Sequence, residues 1–270
     1  MATLDIDGRS LYYEVHGEGE PLLCVHGLTV DTLGWALQVP AFSQSHRTVV
    51  FDNRDVGQSS YVEGEYEVAD MARDALALAD ELGLETFHLM GISMGGAIAQ
   101  EIALSAPERI RTLTLTVTFP RGGPWAHKLA EVWSARVSEM PHERHIDELM
   151  LLNHSEEFYE NPEGVRYLRD MILSNPHPQK PEGFARQLAA SSRHDALDRL
   201  PTLEMPVHVI GGERDILVPV WKSVELSELI PGARLTVLER APHGLSLERA
   251  EEFNRVVLDF VAEHERAATV

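Results

Sequence analysis

The chain has 270 residues, 44% hydrophobic and 24% charged, and its 43 acidic against 23 basic side chains give a formal net charge of −20. That balance belongs to a folded globular protein and excludes a disordered or low-complexity polypeptide. So acidic a surface repels nucleic acid and anionic lipid, so neither a nucleic-acid nor a membrane partner is expected.

The first residues, Met1-Ala2-Thr3-Leu4-Asp5-Ile6-Asp7, carry charge where a signal peptide needs an apolar stretch,. No run approaches the ~18 uninterrupted apolar residues of a membrane span. The alternating segments 3–6 and 11–16 predict a hairpin turned by Asp7-Gly8,. Runs apolar along their whole length follow at 22–25 and 48–51, as expected of parallel strands covered on both faces,. Cys24, the single cysteine, lies in the first of these and reads as a small core hydrophobe,. With no internal disulfide possible, a reducing compartment is expected, hence a cytoplasmic protein; a monomer or homodimer is the expected assembly.

Val68, Met71, Ala72, Ala75, Leu78, Ala79 and Leu82 recur at helical spacing, and Gly83 stands where a C-cap belongs,. A strand (87–90), a helix (93–106) and a strand (112–117) come next. The alternation predicts an α/β fold with a mostly parallel central sheet flanked by helices. The rhythm breaks at 121–200, which is helical in character and punctuated by prolines 124, 141, 162, 176, 178 and 181. It resumes with a strand (207–210), a helix (220–229), a strand (234–238) and a last helix (247–264). The expected organisation is a core of 1–120 and 201–270 with an inserted helical cap at 121–200.

Gly91-Ile92-Ser93-Met94-Gly95 follows a predicted strand and opens a predicted helix. A serine in that strained turn is exposed at the strand's carboxyl end, with glycines where a Cβ would clash. The helix start offers a free N–H at Met94 for an oxyanion. A serine hydroxyl needs a base, and the base an orienting acid. In this architecture the acid and then the histidine follow late strands. Asp215 follows strand 207–210 and His243 follows strand 234–238. Glu213 is the rival acid, nearer the strand end; His264, in the tail helix, is badly placed. The loop after 22–25 supplies the second oxyanion N–H, at Leu28, with His26 bracing it. Trp35 either lines the pocket or packs in the core. Phe119, Trp125, Trp133 and Met150 are further candidates to line an apolar pocket, each with core packing as its ordinary role.

His142-Glu143-Arg144-His145 lacks the H-E-x-x-H spacing of a zinc helix and reads as a solvated helix segment,. Neither a dinucleotide fingerprint nor a P-loop is present, so no cofactor and no metal are expected.

His26-Gly27, Asp52-Asn53-Arg54-Asp55-Val56-Gly57-Gln58-Ser59, Gly91-Ile92-Ser93-Met94-Gly95, Gly212-Glu213-Arg214-Asp215 and Pro242-His243-Gly244 together resemble the α/β-hydrolase superfamily, in its capped esterase and lactonase branch. The resemblance covers nearly the whole chain. It implies a serine hydrolase that cleaves carboxylic esters or lactones through an acyl-enzyme, with Ser93, His243 and Asp215 as the triad. An apolar cap extends this to substrates with a hydrophobic acyl or aromatic part, as for acyl-homoserine lactones or pyrethroid-type esters. Asp55 departs from the family's usual glycine and bears on the local shape of that turn. Epoxide hydrolases and dehalogenases of this fold carry an aspartate at the position of Ser93. Perhydrolases usually have proline soon after His-Gly, where Thr29 stands, and carbon–carbon bond hydrolases keep further polar residues. Those two reactions, and a ligand receptor on the same fold, are the alternatives.

Overall fold

Successive side chains of a strand point to opposite faces of the sheet, and the central strands of this protein bury both. The computed structural model describes residues 2–268. In it β1 (Ala2–Ile6) and β2 (Arg9–His16) form the expected hairpin. Asp7 and Gly8 turn it at φ 53° and 80°, the left-handed values a tight hairpin requires,. Then come β3 (Glu20–Val25), α1 (Val39–Phe42), β4 (His46–Phe51), α2 (Val68–Glu81), β5 (Phe87–Ile92), α3 (Met94–Ser105) and β6 (Ile110–Thr116). Five helices intervene: α4 (Gly123–Val137), α5 (His142–Asn153), α6 (Glu156–Tyr159), α7 (Pro162–Leu173) and α8 (Pro181–Arg193). The chain ends with β7 (Val207–Gly212), α9 (Trp221–Leu229), β8 (Arg234–Leu238), α10 (Leu245–Glu248) and α11 (Ala250–Ala268).

The eight strands make one sheet in the order β1-β2-β4-β3-β5-β6-β7-β8. Only the pairs β1–β2 and β2–β4 are antiparallel; from β4 to β8 every pair is parallel. Leu23, Val25, Val49, Leu89 and Leu113 face one layer, where they meet the apolar stripes of α2 and α3. Leu22, Cys24, Val50, Met90 and Ile210 face the other, against Phe42 of α1 and Phe253 and Val257 of α11. Cys24 is wholly buried there and its thiol is pushed upward by desolvation, as befits an inert core residue,.

Parallel pairing aligns the carboxyl ends of β3 to β8, so the loops that follow them share one edge, where open α/β sheets carry their chemistry. The inserted helices depart after β6 at that edge and come back beside it, where Arg121 pairs with Asp195, before the chain crosses to the start of β7. Pro124, Pro162 and Pro181 occupy first-turn positions of α4, α7 and α8, where a missing N–H costs nothing,. Ala130, Val137, Phe184 and Leu188 give these helices a small core of their own, with Trp133 and Leu149 against it.

Two expectations are corrected. Ser93 is not the first residue of a helix: its φ of 57° and ψ of −122° lie outside it, and α3 starts at Met94. The single last helix is two, broken at Arg249 (φ −122°, ψ 34°). The break lets Glu248 hold His154 Nδ1 at 2.9 Å and Ser155 N at 2.8 Å while α11 packs along the sheet.

His88 on β5 and His208 on β7 are both buried, and burial lowers each from 6.5 to about 4, with neighbouring positive groups adding to the shift. The folded state therefore binds fewer protons than the unfolded chain between pH 4 and 6.5. Stability from these sites is intact above pH 6.5 and is lost as pH falls toward 4, on the order of 3 kcal/mol for each. Melting curves at pH 7 and pH 4.5 check this: the double variant His88→Gln/His208→Gln loses less Tm on acidification than the wild type.

Candidate active site

β5 ends in a sharp turn that leads straight into α3, and Ser93 sits at its apex with a positive φ. Such a conformation is strained for any residue with a Cβ and persists only when its surroundings over-determine it. Here Ser93 N donates to Thr116 O (2.9 Å), and Ser93 O accepts from Gly96 N (2.9 Å) and Thr118 Oγ1 (2.7 Å). A Cβ on Gly91 would lie 2.2 Å from Gly95 O, and one on Gly95 would lie 2.2 Å from Val25 O, so neither flank tolerates a side chain.

The turn lifts Ser93 Oγ to within 3.0 Å of His243 Nε2. His243 Nδ1 donates to Asp215 Oδ2 at 2.7 Å. The other oxygen of Asp215 accepts from the backbone N–H groups of Leu217 (2.9 Å) and Val218 (2.8 Å). The Asp215 side chain is thus wholly buried and fixed from both ends. Glu213 serves otherwise: its carboxylate accepts from Arg240 N at 2.7 Å, tying the loop after β7 to the loop after β8. His264 turns its Nδ1 to Phe260 O within α11. A hydroxyl bonded to an imidazole that a carboxylate orients is an arrangement able to deliver a nucleophilic oxygen.

His26 is buried beside this relay. Its Nδ1 accepts from Gly27 N (2.8 Å), its ring meets Trp35 edge-on at 4.7 Å, and its carbonyl accepts from Asn53 Nδ2 (3.0 Å). Burial, and secondarily His243, push it from 6.5 down to about 3. His26 is therefore neutral at physiological pH and places no positive charge beside His243. Met94 N opens α3, where no preceding helical carbonyl is available to it,. Leu28, after β3, packs against both the main core and the core of the inserted helices.

The candidate pocket residues fare unevenly. Trp35 is 0% exposed within the core on the α11 side of the sheet, so it lines no pocket. Trp125 is 64% exposed on the first turn of α4. Phe119 packs against the main core and lies 6.3 Å from the His194 ring. Trp133 faces Phe184 at 6.3 Å inside the inserted helices, and Met150 is buried on α5. A residue's apolar character is visible in the sequence; the side of a helix it occupies depends on contacts that are not.

Other residues of the site carry no sequence signal. Thr118 braces the serine turn, as described. The inserted helices grip the two late loops: Gly244 N, beside His243, donates to Asn153 O at 2.7 Å. Glu157 pairs with Arg214, beside Asp215, at 3.1 Å and also with Arg240. Asp55, the departure in the second motif, sits at φ 68° with its side chain wholly buried. Its carboxylate accepts from Arg186 Nε and Nη2 (each 2.8 Å), Tyr66 Oη (2.8 Å) and Val62 N (2.9 Å). The residue in place of glycine is an anchor for α8.

A family model described as the alpha/beta hydrolase fold matches residues 20–250. A protein of Azorhizobium caulinodans named carbamate hydrolase RutD is 28% identical over 257 residues, covering 94% of this chain and 95% of that one. The enol-lactonase of Burkholderia xenovorans LB400 superposes with a TM-score of 0.87 at 26% identity, over 97% of this chain and 100% of that one. A thermophilic esterase of Thermogutta terrifontis superposes with a TM-score of 0.85 at 30% identity, over 97% of each chain.

The geometry separates the two acids. With a fluorophosphonate probe, Asp215→Asn slows labelling of Ser93 by roughly 10³- to 10⁴-fold, since the imidazole loses its orienting charge. Glu213→Gln changes it by less than about tenfold. Equal losses would mean that the acid is wrongly assigned.

Proposed function

This chain belongs to the alpha/beta hydrolase fold family, and from that premise we propose that it is a serine hydrolase cleaving carboxylic esters or lactones with a hydrophobic acyl or aromatic part. The observation that carries the reading is the continuous hydrogen-bonded path from Asp215 through His243 to Ser93 Oγ, at 2.7 and 3.0 Å, on a strained turn. Ser93 Oγ attacks the carbonyl carbon while His243 Nε2 takes its proton. The backbone N–H groups of Leu28 and Met94 hold the oxyanion. His243 then returns the proton to the leaving alcohol, an acyl-Ser93 ester remains, and a water deprotonated by His243 releases the acid. Asp215 keeps the imidazole in the required tautomer and stabilises its charged form.

An apolar acyl group is favoured by what lies over Leu28: Trp133, Leu149, Phe184 and Leu188 of the inserted helices, which act as a cap. A strongly anionic substrate is disfavoured by the net charge of −20 and by the neutrality of His26. The names of the relatives point to acyl chemistry with different leaving groups. A carbamate offers the same attacked carbonyl as an ester, so the carbamate reading of RutD's name requires only a nitrogen leaving group in place of oxygen.

Hydrolysis of p-nitrophenyl esters from acetate to decanoate, with a lactone series followed by acid release, tests the reading. Wild type turns over repeatedly without a partner protein, and Ser93→Ala loses roughly 10⁴-fold or more while keeping its Tm. The better series decides between esterase and lactonase. A flat profile across acyl length would remove the apolar pocket; folded protein with no multiple turnover would favour a receptor.

A further inference from the structure

Gly27, Leu28, Thr29 and Val30 form a four-residue turn, closed by Val30 N donating to Gly27 O at 3.5 Å. Its third residue, Thr29, has φ 68°. A positive φ there marks a type II turn, a place for glycine or asparagine. A β-branched residue in it is an outlier that relaxes unless something else holds the peptide. The turn lies against the nucleophile: a Cβ on Gly27 would be 3.0 Å from Ser93 Cβ.

What holds the peptide comes from α8. Thr29 N donates to Gln187 Oε1 at 3.1 Å, and Gln187 is wholly buried. The same oxygen accepts from Gln179 Nε2 (2.9 Å), while Gln187 Nε2 donates to Arg54 O (2.7 Å). Both ends of the amide are therefore committed. A flipped amide would set N–H against N–H at Thr29 and carbonyl against carbonyl at Arg54. The preceding residue, Arg186, grips Asp55, in another turn of positive φ at this edge of the sheet. Consecutive residues of one inserted helix thus hold the turns that follow β3 and β4.

We propose that Gln187 is a positioning residue for the oxyanion site: by accepting from Thr29 N it fixes the turn that aims the Leu28 N–H at the tetrahedral oxyanion. The proposal rests on the hydrolase reading above and adds a second task for the inserted helices besides covering substrate. Without the acceptor, the strained turn is left with the Thr29 N–H unpaired, and its relaxation displaces the adjoining Gly27–Leu28 peptide, whose N–H is the donor beside Ser93. Oxyanion hydrogen bonds matter more in the transition state than in the bound substrate. The loss therefore falls on kcat rather than on KM.

The experiment uses the full chain and p-nitrophenyl butyrate, with rates normalised to active sites titrated by a fluorophosphonate. Gln187→Leu is expected to lower kcat about tenfold to a hundredfold with KM changed less than about threefold. Adding Thr29→Gly to that variant recovers most of kcat, because glycine takes the positive φ without a clamp. Arg193→Gln, which loosens the bonds of α8 to Glu67 and the Tyr66 carbonyl, lowers Tm but leaves kcat unchanged. If Gln187→Leu does not fold, Gln187→Asn, whose shorter amide withdraws the acceptor, takes its place with the same expectations. An unchanged kcat, a loss confined to KM, or no recovery on adding Thr29→Gly would overturn the proposal while leaving the hydrolase reading intact. A wild type that neither titrates nor turns over any ester or lactone would sink both.

Discussion

A serine at φ 57° is the constraint on which the rest of this molecule turns. The conformation is unfavourable on its own, so every neighbour that keeps it has a cause. Glycine is required at 91 and 95 because backbone oxygens stand where a Cβ would go. Thr118, itself preceded by Val117 at the unusual φ of 42°, donates to the Ser93 carbonyl from the end of β6. The parallel sheet supplies the other requirement. It brings the ends of β3, β7 and β8 to the same edge, so His243, Asp215 and the turn after β3 gather around one hydroxyl,.

The inserted helices are tied to that edge by polar contacts at separate points. Gln187 meets the turn after β3, Arg186 the turn after β4, Asn153 and Glu157 the loops after β8 and β7, and His154 and Ser155 meet Glu248 of α10. Apolar packing between the layers runs through Leu28 and through Ala190 of α8, which is buried in the main core. Hydrophobic contact is non-directional and tolerates sliding; hydrogen bonds with fixed partners do not. An insertion fastened this way sets the orientation of the loops beneath it as well as covering them.

Strand and helix positions in the core were legible because burial on both faces leaves uninterrupted apolar runs, and one-sided burial leaves a helical period. Gly83 illustrates a local signal read correctly: at φ 65° it ends α2, with Leu84 N donating to Ala79 O at 2.8 Å. The three residues of the relay were equally legible, each lying just past a strand. The break at Arg249 was not, because both halves of the segment are helical and the cause, Glu248 reaching His154, joins residues 94 apart in the chain. The places of Trp35, in the core, and Trp125, at the surface, were open in the sequence for a related reason. The same side chain serves a core, a pocket or a surface, and only long-range packing decides which.

Asp55 and Arg186, separated by 131 positions, show how such packing acts. An ion pair buried this deeply adds little net stability, since desolvation offsets most of the attraction. Its bidentate geometry, with both oxygens engaged at 2.8 Å, instead fixes how α8 is rotated about its axis,. That rotation determines where the next side chain points. Gln187 enters the interior with its amide already oriented, and no apolar residue at 55 or 186 would impose that orientation. The acid that replaces the family's glycine is best understood through this consequence: it gives up an unstrained turn and gains a register between the insertion and the sheet.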